Sequence, residues 1–370
     1  MQFINLQAQY QALQVAIDAN IKKVLQHGKY IMGPEVGELE TQLADYVGVK
    51  HCITCANGTD ALQLVLMAWG IGAGDAVFVP TFTFMSTAEV VSLEGATPVF
   101  TDIDLDTFTM NIASLEAEIK KVIAAGKLKP KAIIPVDLFG LPANYPEIMQ
   151  IAQKYNLLIL EDAAQGFGGS INGRKAGSFG HAGTTSFFPA KPLGCYGDGG
   201  AIFTDDDALA QQLLSLRIHG KGTEKYDNVR IGLNSRLDTI QAAILLPKLQ
   251  AFRQQDLVLR NKWAAYYTAK LQGKYKVPIV PAHYESSWAQ YTLLLPSETE
   301  RKDLQAKLQA AAIPSMVYYP RPLHLQTAYL NLGYKQGAFP NAEAACKQVL
   351  SIPMSPWLTE AEAEKVVGNL

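Results

Sequence analysis

Cysteine is scarce in this chain, with four residues in 370, and they are scattered at positions 52, 55, 195 and 346. A chain of this length buries a sizeable core and needs no disulfide staples. Cys52 and Cys55 form a CxxC, but no second pair exists to complete a zinc site, and Cys52-Ile53-Thr54-Cys55 has the texture of a buried strand. The expectation is four core thiols and no metal. An excess of charge of one sign is also missing. The formal net charge is −2, which speaks against a nucleic-acid or polyanion binder. No apolar run is long enough to span a bilayer. The opening MQFINLQAQY lacks the basic stretch and apolar run of a secretory signal, so a cytoplasmic protein is expected.

What is present suits a large soluble core: 48% apolar and 18% charged residues. The length suggests two domains. Helical spacing covers residues 8–28, with Gly28 as a stop, and residues 34–47, with Pro34 in the first turn. HCITCA then reads as a strand and NGTDALQLVLMAWGI as a helix. AVFVP (76–80) is a strand and FMSTAEVVSLEG (84–95) a helix. TPVFTDI, KAIIPVDLFG and NLLILEDAA are near-continuously apolar, as strands covered on both faces are. SFGHAGTTSFF and GGAIFTD complete about seven short strands. The alternation points to an α/β fold around a mostly parallel sheet. After about residue 240 the texture changes to a long helical pattern (238–270), a strand (YTLLLP) and a helix (DLQAKLQAAAI). Residues 1–245 are expected to form a large α/β domain and 246–370 a smaller α+β domain.

Four stretches carry candidate chemistry. NGTDAL begins a helix after a strand, where free N–H groups and the helix dipole attract an anion. Gly58 allows close approach and Thr59 adds a hydroxyl, although Thr59 or Asp60 could equally be a plain helix cap. In LLILEDAAQ, Asp162 lies past the carboxyl end of a strand, the edge where open α/β sheets bind ligands. It could bind a metal, act as a base, pair with a pyridinium nitrogen, or cap a helix beginning at the AAQ that follows. SFFPAKPLGCYGDGGA is the most specific stretch. Lys191 stands between two prolines in apolar surroundings, where desolvation lowers an amine's pKa and favours Schiff-base formation. The plainer alternative is a surface lysine in a Gly/Pro loop. GLNSRLDTIQAA sets Asn234, Ser235 and Arg236 before a helix, as phosphate donors or ordinary caps. Phe84, after PTFT, offers a flat apolar face or joins the core.

The order of these stretches resembles the fold-type I aminotransferases, and more narrowly the DegT/DnrJ/EryC1/StrS sugar aminotransferase family. The resemblance runs from LQHGKYIMGPEV through CANGTDALQ, EDAAQ, SFFPAKPLGCYGDGGAIFT, RIHG and NSRLDTIQAAILLPKL to VYYPRPLH, nearly the whole chain. It implies pyridoxal 5′-phosphate as cofactor, bound covalently by Lys191, with Asp162 on the pyridine nitrogen and Gln165 on the phenolic oxygen. By the same match Gly58, Thr59 and Ser186 hold the phosphate and Phe84 stacks on the ring. Asn234 reaches the phosphate of the neighbouring subunit's cofactor, which implies a homodimer with shared sites. Relatives with histidine in place of the lysine are dehydratases, a fate Lys191 argues against.

Within the family these stretches look most like the branch that aminates UDP-2-acetamido-2-deoxy-3-oxo-glucuronate with glutamate, for surface polysaccharide such as lipopolysaccharide O-antigen. That implies Gly28, Tyr30, Arg236, Tyr318 and Tyr319 around the sugar nucleotide, with His324 nearby. Two positions depart from the pattern: Ala190 replaces an expected serine and Tyr318 an expected histidine. The alternatives are a 4-keto-sugar aminotransferase on the same scaffold and a non-catalytic cofactor-binding regulator. No basic patch or DNA-binding segment supports the regulator.

Overall fold

The computed structural model describes residues 1–224 and 226–370. Two helices open the chain, and their ends follow from local chemistry. α1 (Leu6–His27) starts where the Asn5 side chain accepts from the Ala8 N–H. It stops at Gly28, whose φ of +69° suits a residue without a Cβ. α2 (Pro34–Val47) has Pro34 in its first turn, where the missing N–H costs nothing.

The α/β alternation follows. In chain order it comprises β1 (His51–Cys55), α3 (Gly58–Ala68), β2 (Asp75–Pro80), α4 (Ser86–Leu93), β3 (Thr97–Thr101) and α5 (Ile112–Ala125). It continues with β4 (Lys129–Ile133), α6 (Tyr145–Tyr155), β5 (Leu158–Asp162), β6 (Ala182–Ser186), β7 (Gly200–Thr204) and α7 (Asp207–Leu216). All seven expected strands join one sheet, in the order β1-β7-β6-β5-β4-β2-β3. Strand β7 runs antiparallel to β1 and β6, and the other pairings are parallel. Six strands therefore deliver their carboxyl ends to one edge.

The sheet is covered on both faces, which explains its near-continuous apolar strands. Cys52 packs with Leu39, Leu43 and Leu249 on one side, whereas Cys55 packs with Leu64 and Val65 on the other. Side chains three apart on a strand point to opposite faces, so these two thiols cannot act together. All four cysteines are buried and free.

α8 (Thr239–Ala251) and α9 (Leu257–Leu271) realise the long helical pattern, joined by a π-helical turn at Phe252–Asp256. Residue 245, the expected end of the large domain, lies inside α8. Its Leu245, Leu246 and Leu249, with Phe252, pack against the large sheet. A separate core gathers beyond that turn, around Trp263, Tyr267, Tyr291 and Leu350. It includes the pair β8 (Tyr291–Leu294) and β9 (Val349–Ile352), with α10 (Glu298–Ala310) and α12 (Glu360–Gly368). Between them α11 (Pro340–Gln348) returns to the sheet through Ala342, Ala345 and Cys346. A small sheet of two-residue strands (Ser170–Ile171, Arg174–Lys175, Tyr284–Glu285) escaped the sequence analysis. Segments that short carry no readable period. Among the described residues no helix is long and apolar enough to cross a membrane.

Candidate active site

A cavity of about 640 Å³ opens at the carboxyl edge of the sheet. β1 brings Gly58 and Thr59 to it, β2 brings Phe84, β5 brings Asp162 and Gln165, and β6 brings Ser186 and Lys191. Sequence separations of up to 133 residues thus collapse into one pocket.

The floor next to β1 is built for an anion. Asn57, not Thr59 or Asp60, is the cap of α3: its Oδ1 accepts from the Asp60 N–H at 2.8 Å. Among the described residues no acceptor takes the N–H of Gly58 or Thr59, so both remain available at the positive end of the helix. A Cβ on Gly58 would meet the Ser186 Cβ at 2.7 Å, so only glycine lets this turn approach β6 so closely.

Asp162 lies deeper. It is 5% exposed and accepts from the Thr87 hydroxyl at 2.9 Å and from the Ala164 N–H at 3.2 Å. Burial pushes its pKa up; Thr87 and the charge of Lys191 pull it back. No α-helix follows it, only a turn, so the helix-cap alternative does not apply. Lys191 is partly buried, and desolvation lowers its pKa against the opposing pull of Asp162. The lysine is a cavity residue rather than a surface one.

Three further groups shape the walls. Gln165 accepts from the Phe139 N–H through Oε1 at 2.7 Å, which turns its Nε2 toward the cavity, where it donates to the Tyr319 hydroxyl at 3.1 Å. A backbone N–H can only donate, so the amide orientation is fixed. Phe84 is 55% exposed, its ring 6.2 Å from that of Tyr319, leaving a flat face open. Tyr318 and Tyr319 close the far side. Ala190 and Tyr318, the two departures from the resembled branch, both line the cavity.

The remaining candidates lie elsewhere. Asn234 is exposed and Arg236 partly buried, both outside the cavity within one chain, and neither Asn234 nor Ser235 caps α8, whose cap position is Asp238. Ser235 fastens this segment by accepting from the Ala56 N–H at 3.1 Å. Gly28 and Tyr30 are also exposed, beside the same segment: the Tyr30 carbonyl accepts from the Thr239 N–H, and Ile31 pairs with Asp238. His324 is a correction. Expected near the substrate, it is fully buried, with its ring nitrogens on Thr81 and Glu343, and does not line the cavity. Sequence reasoning missed Thr87, Ile4 and Gln290. A threonine at a helix start and an isoleucine near the N-terminus carry no chemical signature of their own.

These groups fit pyridoxal phosphate: an amine of lowered pKa, a buried acid, an open aromatic face and an unfilled N–H cradle beside a glycine that admits no side chain. Set at the carboxyl edge of a mostly parallel sheet, they suit the cofactor of a fold-type I aminotransferase. The chain belongs to the DegT/DnrJ/EryC1/StrS aminotransferase family, whose model matches residues 11–370, and is pyridoxal-phosphate dependent with it. A relative from Pseudomonas aeruginosa PAO1, UDP-2-acetamido-2-deoxy-3-oxo-D-glucuronate aminotransferase, is 46% identical over 371 residues, covering 100% of this chain and 99% of its own. The UDP-N-acetyl-3-dehydro-alpha-D-glucosamine 3-aminotransferase of Acidithiobacillus ferrooxidans is 42% identical, covering 98% and 95%. A crystal structure of a family member from Brucella abortus superposes with a TM-score of 0.96 at 53% identity, covering 100% and 98%.

Proposed function

We propose that this chain transfers the amino group of glutamate to UDP-2-acetamido-2-deoxy-3-oxo-D-glucuronate, giving the 3-amino sugar for surface polysaccharide, as a cytoplasmic homodimer. The observation that carries the chemistry is Lys191 and Asp162 sharing one cavity, each shifted by burial toward its neutral form. The full-length likeness to the Pseudomonas enzyme supports the substrate.

When bound, pyridoxal phosphate withdraws electrons from the carbon bearing the amino group and makes its proton removable. Lys191, its pKa lowered, would hold the cofactor until the amine of the donor displaces it, and the freed amine would then take and return that proton. Asp162 would pair with the pyridine nitrogen and keep it protonated. Gln165 would donate to the phenolic oxygen, Phe84 would cover the ring, and Gly58, Thr59 and Ser186 would hold the phosphate. Asn234 completes that phosphate site in the partner's cavity. Gly28, Tyr30 and Arg236 contribute there to the sugar nucleotide, which Tyr318 and Tyr319 contact from their own chain. Exposed Tyr30, Ile31, Val229 and Ile231 near this segment suit a covering second copy.

The test is turnover by the holoenzyme with glutamate against a panel of 3-keto and 4-keto UDP- and dTDP-sugars. The proposal expects the 3-oxo UDP-uronate to be aminated at least about tenfold faster than any 4-keto sugar, a preference of about 1.4 kcal/mol. Each amination should release one 2-oxoglutarate. Faster turnover of a 4-keto sugar would replace the substrate assignment, and a failure of glutamate to convert the bound cofactor would remove the donor.

A further inference from the structure

We infer that His324 is a positioning residue that locks the turn carrying Phe84 to the segment carrying Tyr318 and Tyr319, so that the two aromatic walls of the cavity stand as one unit. The inference rests on the reading of Phe84 as the ring-covering side chain.

The link is a closed circuit of hydrogen bonds. Thr81, just beyond β2, is tied to β3 by its N–H on the Thr101 carbonyl at 2.9 Å. Its own carbonyl accepts from the Leu323 N–H at 2.7 Å, and its Oγ1 accepts from the His324 N–H at 3.1 Å. The same Oγ1 lies 2.7 Å from His324 Nδ1, and His324 Nε2 lies 3.2 Å from Glu343 on α11. That helix is itself docked on the sheet, because Asp102 beyond β3 accepts from the N–H groups of Asn341 and Ala342 at 3.1 and 2.8 Å. Both ends of the imidazole are thus anchored to neighbouring strands.

The Glu343 carboxylate can only accept, so Nε2–H donates to it, and in a ring with a single N–H the Thr81 hydroxyl then donates to Nδ1 while its oxygen accepts the His324 backbone N–H. This is the neutral tautomer, which burial also favours by lowering the histidine pKa. The ring packs edge-on against Phe339 at 4.9 Å, which fixes its plane. Three residues beyond Thr81 stands Phe84, and five residues before His324 stands Tyr319. The Tyr319 ring lies 6.2 Å from both Phe82 and Phe84. A buried histidine that touches nothing in the cavity therefore sets the spacing of its aromatic walls.

The test compares Thr81→Val, which keeps the volume and removes the hydroxyl, with Thr81→Ser, which keeps the hydroxyl. In the cofactor-loaded protein, hydrogen exchange in residues 81–86 and 318–325 should rise at least tenfold together in Thr81→Val and stay near wild type in Thr81→Ser. Unchanged exchange in either segment overturns the clamp. Its effect on the site is read from the visible circular dichroism of bound pyridoxal phosphate, with Phe84→Leu alongside. Thr81→Val should lose half or more of the band. An unaltered band in Thr81→Val, where Phe84→Leu changes it, also overturns the proposal. If neither variant moves the band, the reading of Phe84 has failed, and the clamp stands or falls on the exchange data. Should Thr81→Val not fold, His324→Gln, which keeps a donor for Glu343 and the backbone bond to Thr81 but gives up the ring contact with the Thr81 hydroxyl, meets the same criteria.

Discussion

Asp162 is held between opposing influences. Burial favours its neutral form, while the Thr87 hydroxyl, the Ala164 N–H and the charge of Lys191 favour the carboxylate. A protonated pyridine nitrogen supplies the counter-charge that burial otherwise denies it. Asp162→Asn is nearly isosteric but cannot hold that proton in place. It should keep the cofactor and lose turnover by about three orders of magnitude, on the order of 4 kcal/mol of barrier. Near-normal turnover in a folded, loaded variant would remove this role. The position of Asp162 was legible in the sequence because an acid after an apolar strand marks the binding edge of an open sheet. Its partner Thr87 was not, because a hydroxyl at a helix start has an equally good local use as a cap.

At the scale of elements, β5 carries a second acid whose role the sequence leaves open. Glu161 points away from the cavity; burial raises its pKa to about 7, against the pull of the Gly177 and Phe179 N–H groups from which it accepts. Asp137 lies beside it, fully buried, with Oδ1 taken by the Ala143 N–H and the Tyr145 hydroxyl. Oδ2 has no donor among the described residues, and burial together with the Glu161 charge holds the Asp137 pKa well above the ordinary range. The folded chain thus keeps a proton that the unfolded chain releases near pH 4. With the folded pKa raised, stability falls as pH climbs from there toward that folded value. Asparagine at 137 retains the same hydrogens at every pH. The urea midpoint of Asp137→Asn should therefore decline less between pH 5 and pH 8 than that of the wild type, and equal declines would contradict a proton retained at Asp137. The strands themselves were legible through their apolar runs and terminal glycines. The two-residue strands at 170, 174 and 284 were not, because tertiary contact alone creates them.

For the whole molecule, the residues divide by distance. Those adjoining strand ends converge in one chain, whereas Asn234, Arg236, Gly28 and Tyr30 remain on the surface, and no property of a single chain brings them to the cavity. Under the proposed dimer they serve the partner's site. A Lys191→Ala subunit still carries Asn234, and an Asn234→Ala subunit still carries Lys191. When the two exchange, the intact lysine receives the intact asparagine, giving one complete site in each mixed dimer. Activity should recover to about half of wild type per mixed dimer, by two-fold symmetry. Activity no higher than that of the separate variants, with exchange verified, would show that Asn234 does not cross. His324, set near the substrate by the family resemblance, turns into the core after Pro320 and Pro322 and does not line the cavity, a direction that a motif match does not reveal.

If Lys191 holds pyridoxal phosphate covalently in the cavity it shares with Asp162, borohydride reduction of the cofactor-loaded protein fixes that bond. Digestion and mass mapping should then find the pyridoxyl group on the peptide containing SFFPAKPLG, at Lys191 alone. The label on any other lysine, or none on a protein that retains the cofactor, would contradict it.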